Sequence, residues 1–220
     1  MSAERGYHHG GLRAALIATS FEVLAESGLQ RFSVAAVARR LGVSSAAPYR
    51  HFPDRAHLLA AVAAAAAADL RAAFTAAADA AAADAAAADA AAADAAAADA
   101  AAADAAADPR ARLAAVAGAY VRYAVRTGAG FPVVFAPELA SLADHERREE
   151  TRALMTVLLD LSTATAVRAH LDAVRQIEAV IAVAHGYVSL YVDGFYAHGD
   201  SVVDDIAERA VAAARALIGR

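Results

Sequence analysis

Three adjacent polar side chains, Tyr49, Arg50 and His51, bring a phenol, a guanidinium and an imidazole together in the first quarter of the chain. Each group can donate hydrogen bonds to phosphate oxygens or to the acceptors on base edges. Phe52 follows directly, and its apolar ring would anchor the segment to a hydrophobic core. The spacing predicts a short element that is held from behind and presents polar side chains to a nucleic acid.

The residues before this element predict a helix, a sharp turn and a second short helix. Ser33 is a residue type that caps helices, and apolar residues recur after it at intervals of three and four up to Leu41. Gly42 fits the left-handed conformation that ends a helix, Ser44 is the next candidate N-cap, and Pro48 is tolerated in a first helical turn. This order is typical of a helix-turn-helix, which lays its second helix in the major groove of DNA.

The polar and basic residues around this motif form the predicted nucleic-acid contact surface. The second helix supplies hydrogen-bonding side chains, the flanking arginines would lie near phosphates, and the serine before the first helix completes the set. The predicted residues are Ser33, Arg39, Arg40, Ser44, Ser45, Tyr49, Arg50, His51 and Arg55. Pro53 and Asp54 then end the motif and cap the next helix.

Charge is distributed unevenly along the chain, whose formal net charge is −5. The first 60 residues carry seven arginines and four acidic residues, whereas the rest of the chain carries 13 arginines and 21 acidic residues. A basic N-terminal part suits contact with phosphates, and an acidic remainder would be repelled by them. The charge pattern therefore agrees with the predicted contact surface.

The segment from Tyr7 to Val62 resembles the N-terminal domain of the TetR family of bacterial transcriptional regulators. The resemblance rests on the GVS turn, the aromatic-bearing recognition helix and the HFPD junction, which occur here in the family's order. The family usually has lysine where Arg55 stands, and leucine or isoleucine where Pro48 stands. The AHG triplet at residues 184–186 is similar to the Trp-His-Gly triplet of a TetR-like body domain, with alanine in place of tryptophan.

The resemblance implies a ligand-responsive transcriptional regulator, with repression as the expected effect. It implies a homodimer that binds a pseudo-palindromic operator in double-stranded DNA and is released by a small-molecule effector, in the cytoplasm. Two alternatives stay open. One is an alanine-rich helical scaffold that binds another partner, and the other is an enzyme that carries a helix-turn-helix domain.

Composition limits the remaining classes of protein. The chain has 220 residues, 60% apolar content and no cysteine, so it can form a sizeable core without disulfides or thiolate zinc sites. We expect no signal segment or membrane span, because the apolar blocks are short. Since no P-loop, nucleophile elbow, paired carboxylates or metal-ligand spacing can be found, we also expect no enzymatic activity, no cofactor and no metal.

Aspartate recurs at every fifth residue from Asp79 to Asp104 in a background of alanine. Successive aspartates would lie about 140° apart around a helix, so the tract has no apolar stripe. The helix propensity of alanine favours a solvated helix, and the lack of oppositely charged partners leaves a disordered spacer as the alternative. We expect an all-α protein with a helix-turn-helix domain (1–62), a connecting helix and repeat tract (63–107), and a helical effector-binding and dimerisation domain (108–220).

Two residue sets in the C-terminal part are candidates for binding. The candidate effector-binding residues are mostly aromatic and lie at helical spacing, a pattern that ordinary core residues share. They are Tyr120, Tyr123, Phe131, Phe135, Met155 and His185. The candidate dimerisation residues form apolar stripes on two helices, which could also serve the core of one chain. They are Ile177, Ile181, Val188, Tyr191, Phe195, Ile206, Ala210 and Leu217.

Overall fold

The computed structural model describes residues 9–95, 108–165 and 170–218, and every regular element in these ranges is helical. The α-helices are α1 (His9–Arg31), α2 (Val34–Leu41), α3 (Arg55–Ala95), α4 (Pro109–Thr127), α5 (Phe131–Val134), α6 (His145–Thr163), α7 (His170–Val192) and α8 (Asp200–Ile218). Short 3₁₀ turns form at Pro48–Arg50 and Pro137–Leu139. The predicted all-α fold is confirmed.

The described residues form two compact units. The head unit comprises the residues up to Ala68 together with Arg126–Thr151, and the body unit comprises Asp69–Val125 and the residues from Arg152 onward. Residues 126–151, which the sequence places in the C-terminal domain, thus pack with the N-terminal helices. The domain boundaries at residues 62 and 107 stay predictions, because packing units and sequence domains need not coincide.

Local sequence signals determine where α1 and α2 begin and end. Gly28 has a φ of 71° and interrupts α1, because glycine adopts this left-handed conformation without a steric cost. The Ser33 hydroxyl accepts a hydrogen bond from the Ala36 N–H at 3.2 Å and caps α2. Gly42, with a φ of 72°, ends α2 in the left-handed conformation. The predicted cap at Ser33 and the predicted helix end at Gly42 are confirmed.

The core of the head unit joins α1, α2 and the start of α3. Its large buried side chains are Leu16, Leu24, Phe32, Val37, Phe52, Leu58 and Leu59. Gly128 approaches α1 so closely that a Cβ there would lie 2.5 Å from the Leu24 carbonyl carbon. An ion pair between Arg13 and Glu146, at 3.3 Å, adds a second contact. Together these contacts hold residues 126–151 against α1.

α3 carries most of the alanine-rich sequence and extends for 41 residues, from Arg55 to Ala95. The aspartates of the repeat up to Asp94 lie within this helix, so the helical alternative is confirmed to that point. Asp99 and Asp104 lie outside the described residues. The long helix follows from alanine, which has the best helix propensity of all residues.

The first part of the aspartate repeat is packed as well as helical. Ala78 is 1% exposed, and Asp79 pairs with Arg112 of α4 at 3.3 Å, so the expectation of a tract solvated on all sides is wrong here. By length and composition alone, Arg55–Ala87 is apolar enough to cross a membrane, with a mean hydropathy of 1.5. However, 61% of its apolar window is buried inside the protein, as in a core helix.

The body unit is built from helices that bury large side chains against each other. Its core includes Leu70, Phe74, Leu113, Tyr120, Leu154, Leu158, Val180 and Ile206. The Asp108 carboxylate accepts a hydrogen bond from the Arg110 N–H at 3.0 Å at the start of α4. Gly118 of α4 lets α8 approach, since a Cβ there would lie 3.2 Å from the Ala207 carbonyl oxygen. The body unit is therefore a closely packed helical bundle.

Candidate nucleic-acid interface

The recognition segment, residues 44–52, connects α2 to α3. Its backbone is a run of tight turns, in which the Ala47 N–H bonds the Ser44 carbonyl at 3.0 Å and a 3₁₀ turn follows from Pro48. Ala47 occupies the N-cap position of that turn, without a capping side-chain bond. The predicted second short helix is present as a 3₁₀ turn, whereas the prediction of Ser44 as its cap is wrong. Pro48 has no N–H with which to bond the Ser44 carbonyl, as an α-helix would require.

Burial divides the side chains of the recognition segment into two groups. Pro48 is buried and Phe52 is 4% exposed, so these two anchor the segment to the head core. Tyr49 is 53% exposed, Arg50 is also exposed, and His51 is half-buried. The exposed polar residues of the segment are Ser44, Ser45, Tyr49 and Arg50. A solvent-facing phenol and guanidinium on a buried support form a surface that a duplex can approach.

The two arginines at the end of α2 differ in their partners. Arg40 forms ion pairs with Glu22 at 3.4 Å and, more closely, with Glu26. The hydrogen bond to Glu26, aided by the charges of both carboxylates, raises the pKa of the Arg40 guanidinium above its ordinary value. Arg39 is exposed and makes no side-chain hydrogen bond within the described residues. Arg39 therefore fits a phosphate contact, whereas the charge of Arg40 is compensated by α1.

A polar groove of about 490 Å³ lies between α1 and α2. Its lining is Val23, Glu26, Ser27, Arg31, Ser33, Ala36, Arg39 and Arg40. Arg31 is held at the groove by a hydrogen bond from its Nε to the Ser27 carbonyl at 3.1 Å. Arg31 was missed from the sequence, although its position two residues before the Ser33 cap could have indicated it. The Ser33 hydroxyl is already used as the cap of α2, so its predicted nucleic-acid contact is secondary to that structural role.

Arg55 makes several bonds within the head unit. Its Nε donates to the Phe32 carbonyl at 3.0 Å, and its Nη2 donates to the Leu29 carbonyl at 3.1 Å. Its Nη1 pairs with Glu138 at 2.6 Å. Because all three guanidinium nitrogens bond within the head unit, Arg55 holds the end of α1 and residue 138 together. These bonds give Arg55 a structural role, and its phosphate contact stays a prediction.

Asp54 begins α3, as predicted. Its carboxylate accepts hydrogen bonds from the His57 N–H at 3.0 Å and shares one with His57 Nδ1 at 2.9 Å. The hydrogen bonds from the side chain and backbone of His57 lower the pKa of the Asp54 carboxyl below its ordinary value. This cap fixes the direction in which α3 leaves the recognition segment.

Two family models match the chain, one for each part. The model described as "Bacterial regulatory proteins, tetR family" matches residues 16–62, and "Tetracyclin repressor-like, C-terminal domain" matches residues 113–214. The chain belongs to the TetR family. It is therefore a DNA-binding transcriptional regulator and not an enzyme. Members of the TetR family bind DNA, dimerise and bind small-molecule ligands.

Solved structures are similar to this TetR family chain over nearly its whole length. A protein with unknown function from Rhodococcus sp. RHA1 has a TM-score of 0.65 and 27% identity, with 99% of this chain and 100% of that chain covered. The putative regulatory protein SCO4313 has a TM-score of 0.52 and 23% identity, with both chains covered completely. No curated protein matches the chain.

Four of the six effector residues predicted for this TetR family regulator lie in the body unit. The Tyr120 hydroxyl and His185 Nδ1 share a hydrogen bond at 3.0 Å, and the Tyr120 side chain is completely buried. Tyr123 is 3% exposed and Met155 is half-buried. The structure thus brings the buried Tyr120 and the half-buried His185 together as a polar pair in the body unit.

The other two predicted effector residues lie in the head unit. The rings of Phe131 and Phe135 stack with their centroids 5.5 Å apart. Phe135 is 48% exposed, so this pair forms part of the surface of the head unit. Helical spacing in the sequence does not show in which packing unit a residue lies. The six effector residues were therefore predicted as one set.

The residues predicted to form the TetR family dimer differ widely in burial. Those buried within the protomer are Ile177, Val188, Ile206 and Ala210. These four contribute to the core of their own chain, and their contact with a partner stays a prediction. Ile181 and Tyr191 are half-buried, and Phe195 and Leu217 are 73% and 43% exposed. Leu190 and Val192, which were not predicted, are also exposed and apolar, at 40% and 67%.

Proposed function

We propose that the protein is a ligand-responsive repressor that binds a pseudo-palindromic operator as a homodimer and leaves it when a small effector binds. The proposal rests on the exposed pair Tyr49 and Arg50, which the buried Pro48 and Phe52 support from behind. One short recognition segment contacts few base pairs, and useful specificity in a genome requires more. A two-fold dimer contacts more base pairs, because it binds two half-sites in successive major grooves.

Arg50 is the main candidate for base recognition. A guanidinium can donate two hydrogen bonds to O6 and N7 of one guanine, which contributes about 1–3 kcal/mol of discrimination against another base. Arg31 and Arg39, on the polar groove between α1 and α2, supply phosphate contacts. The exposed hydroxyls of Ser44 and Ser45 add hydrogen bonds at the start of the segment. Because phosphates are neutralised, affinity should fall as salt rises.

Exposed apolar residues on α7, after α7 and on α8 support the homodimer. Leu190, Val192 and Phe195 are 40%, 67% and 73% exposed, and Leu217 is 43% exposed. Large apolar side chains at the surface of one protomer lose contact with water when a second copy covers them. The family's tendency to dimerise makes a second copy of this chain the expected partner. The same surface would then face itself across a two-fold axis.

The Tyr120–His185 pair supports an effector that is small, mostly apolar and able to form a hydrogen bond. Depending on its tautomer, the half-buried imidazole can donate to or accept from such a group. α3 begins at Arg55, directly after the recognition segment. An effector that shifts α3 would change the spacing of the two recognition segments, provided that it binds the two states with different affinities.

A gel-shift experiment tests the proposal. We expect operator fragments, selected from genomic DNA with the wild-type protein, to be shifted by wild type and not by the double variant Tyr49→Ala, Arg50→Ala. Both should elute as dimers from a sizing column, because neither residue contributes to the core. Arg152→Ala removes an exposed arginine from α6 in the body unit and is the charge-matched control, which should bind normally. Normal binding by the double variant would reject the assignment.

A further inference from the structure

Residues 126–151 supply carboxylates to arginines of the N-terminal helices. Glu146 pairs with Arg13 of α1 at 3.3 Å, and Glu138 pairs with Arg55 of α3 at 2.6 Å. Both glutamates lie in the part of the head unit that comes between α4 and α6 in the sequence. The C-terminal part of the chain thus neutralises positive charge in the part that contacts DNA.

The pair between Arg55 and Glu138 adjoins the recognition segment, because Arg55 begins α3 shortly after that segment ends. The Arg55 side chain is 34% exposed and the Glu138 side chain is 41% exposed. Ion pairs that solvent reaches are weak, since water and salt screen them. A duplex carries one negative charge per about 1.7 Å of its axis, so its phosphates can compete with a single carboxylate.

Other contacts would keep the Arg55 guanidinium in place without Glu138. Its Nε and Nη2 donate to the carbonyls of Phe32 and Leu29, and the guanidinium carbon lies 5.6 Å from the centroid of the Phe32 ring. Nη1 is the nitrogen that faces Glu138. Loss of the carboxylate would therefore leave an uncompensated positive charge at the same position.

The pair is also accessible, because it borders a cleft of about 270 Å³ in the head unit. The cleft is lined by Leu29, Gln30, Arg55, Ala136, Pro137 and Glu138. An anion from solution can approach Arg55 from this side.

We propose that Glu138 restrains DNA affinity by competing with a DNA phosphate for Arg55. The proposal rests on the proposed function as a DNA-binding regulator. In the paired state the carboxylate neutralises Arg55. In the released state the guanidinium adds one phosphate contact beside the recognition segment. The predicted phosphate contact of Arg55 and its observed pair with Glu138 are then two states of one residue.

The position of Glu138 in the sequence gives this competition a regulatory role. The residues that carry Glu138 follow α4 and lead into α6, and both helices continue into the body unit. A change in the body unit that moves Glu138 would change the charge that Arg55 offers to DNA. Because phosphates carry no sequence information, this change would alter affinity for every duplex equally.

A double-mutant cycle tests the competition. Affinity for the selected operator and for an unrelated duplex is measured by fluorescence anisotropy at several salt concentrations, for wild type, Glu138→Gln, Arg55→Gln and the double variant. At about 0.15 M salt, Glu138→Gln should bind both duplexes about fivefold more tightly than wild type, because one phosphate contact adds about 0.9 to the slope of log K against log salt. The gain should shrink as salt rises. Without Arg55 the same substitution should change affinity by less than about twofold.

Glu149→Gln is the matched control. Glu149 is an exposed glutamate of the same residues 126–151, and its carboxylate lies 3.5 Å from His145 Nδ1 instead of an arginine. This variant should bind within about twofold of wild type, since an exposed charge without an arginine partner has little effect. Thermal melts check that every variant is folded.

Four results would overturn the proposal. They are no gain in Glu138→Gln, a gain that persists without Arg55, a gain confined to the operator, and an equal gain in Glu149→Gln, which would reflect net charge alone. If Arg55→Gln does not fold, the comparison of the two glutamate variants decides. A wild type that prefers no sequence would instead refute the proposed function.

Discussion

The recognition segment and the alanine-rich part of α3 (residues 76–95) obtain their conformations in opposite ways. The first is short, lacks the donor at Pro48, and depends on buried anchors such as Phe52. The second consists only of alanine and aspartate, buries Ala78 near its start, and keeps a helix through propensity. Tertiary anchoring, rather than helix propensity, therefore places the DNA-facing side chains of this regulator.

The largest effect should follow from removing an anchor of the recognition segment. Phe52→Ala deletes a ring that is 4% exposed, and we expect the free energy of unfolding to fall by about 3–5 kcal/mol. Urea unfolding followed by circular dichroism measures this loss. Tyr49→Ala, three positions away and 53% exposed, is the matched control and should stay within about 0.5 kcal/mol of wild type. Equal losses for the two variants would contradict anchoring by Phe52.

A smaller effect should come from weakening helix propensity in the alanine-rich part of α3. Ala86 is exposed in this helix, and Ala86→Gly should lower local helix stability by about 1 kcal/mol. Amide hydrogen exchange around residue 86 would measure the change. Ser45→Gly, in the non-helical turn of the recognition segment, should leave exchange there nearly unchanged. If both glycines had the same effect, the two regions would not differ in their dependence on propensity.

Much of the head unit could be predicted because its signals are local. A cap such as Ser33 bonds a residue three positions away, and Gly42 supplies its own left-handed backbone. The exposure of Tyr49 beside the buried Phe52 also follows from residue types and spacing. Pro48 stands in a first helical turn, as predicted, but that turn begins at Pro48 and not after Ser44, because residues 44–47 form a separate tight turn.

Contacts between distant residues could not be predicted from the sequence. The partner of Arg55, Glu138, lies 83 positions away, and nothing local indicates it. Gly128 faces Leu24 for the same non-local reason. An apolar stripe that includes Ile206 shows that one face is buried, yet it does not distinguish a partner chain from the protein's own core.

A pH-dependent effect should separate the capping aspartate from the repeat aspartates. The lowered pKa of Asp54 means that its carboxylate stabilises the fold above the pKa of the unfolded chain, and that this contribution is lost as pH falls through the lowered value. Asp54→Asn should therefore be less stable than wild type at neutral pH, with the difference shrinking in acid. Thermal melts across a pH series measure it. Asp84→Asn, in the middle of α3, caps no helix start and should melt near the wild-type temperature at neutral pH.

The smallest effect on DNA binding should come from shortening the aspartate repeat. Deleting residues 85–104 removes four whole repeats and keeps Ala78 and Asp79. Asp79 of α3 contacts Arg112 of α4, so the chain between these two residues needs only to reverse direction. The residues that remain after the deletion outnumber those of a usual helix–helix connection. We expect operator affinity within about twofold of wild type, because the deletion removes no DNA contact. A scaffold that used this helix as its binding arm would lose its partner instead, and a loss of operator binding by a folded dimer would show that the repeat takes part in recognition.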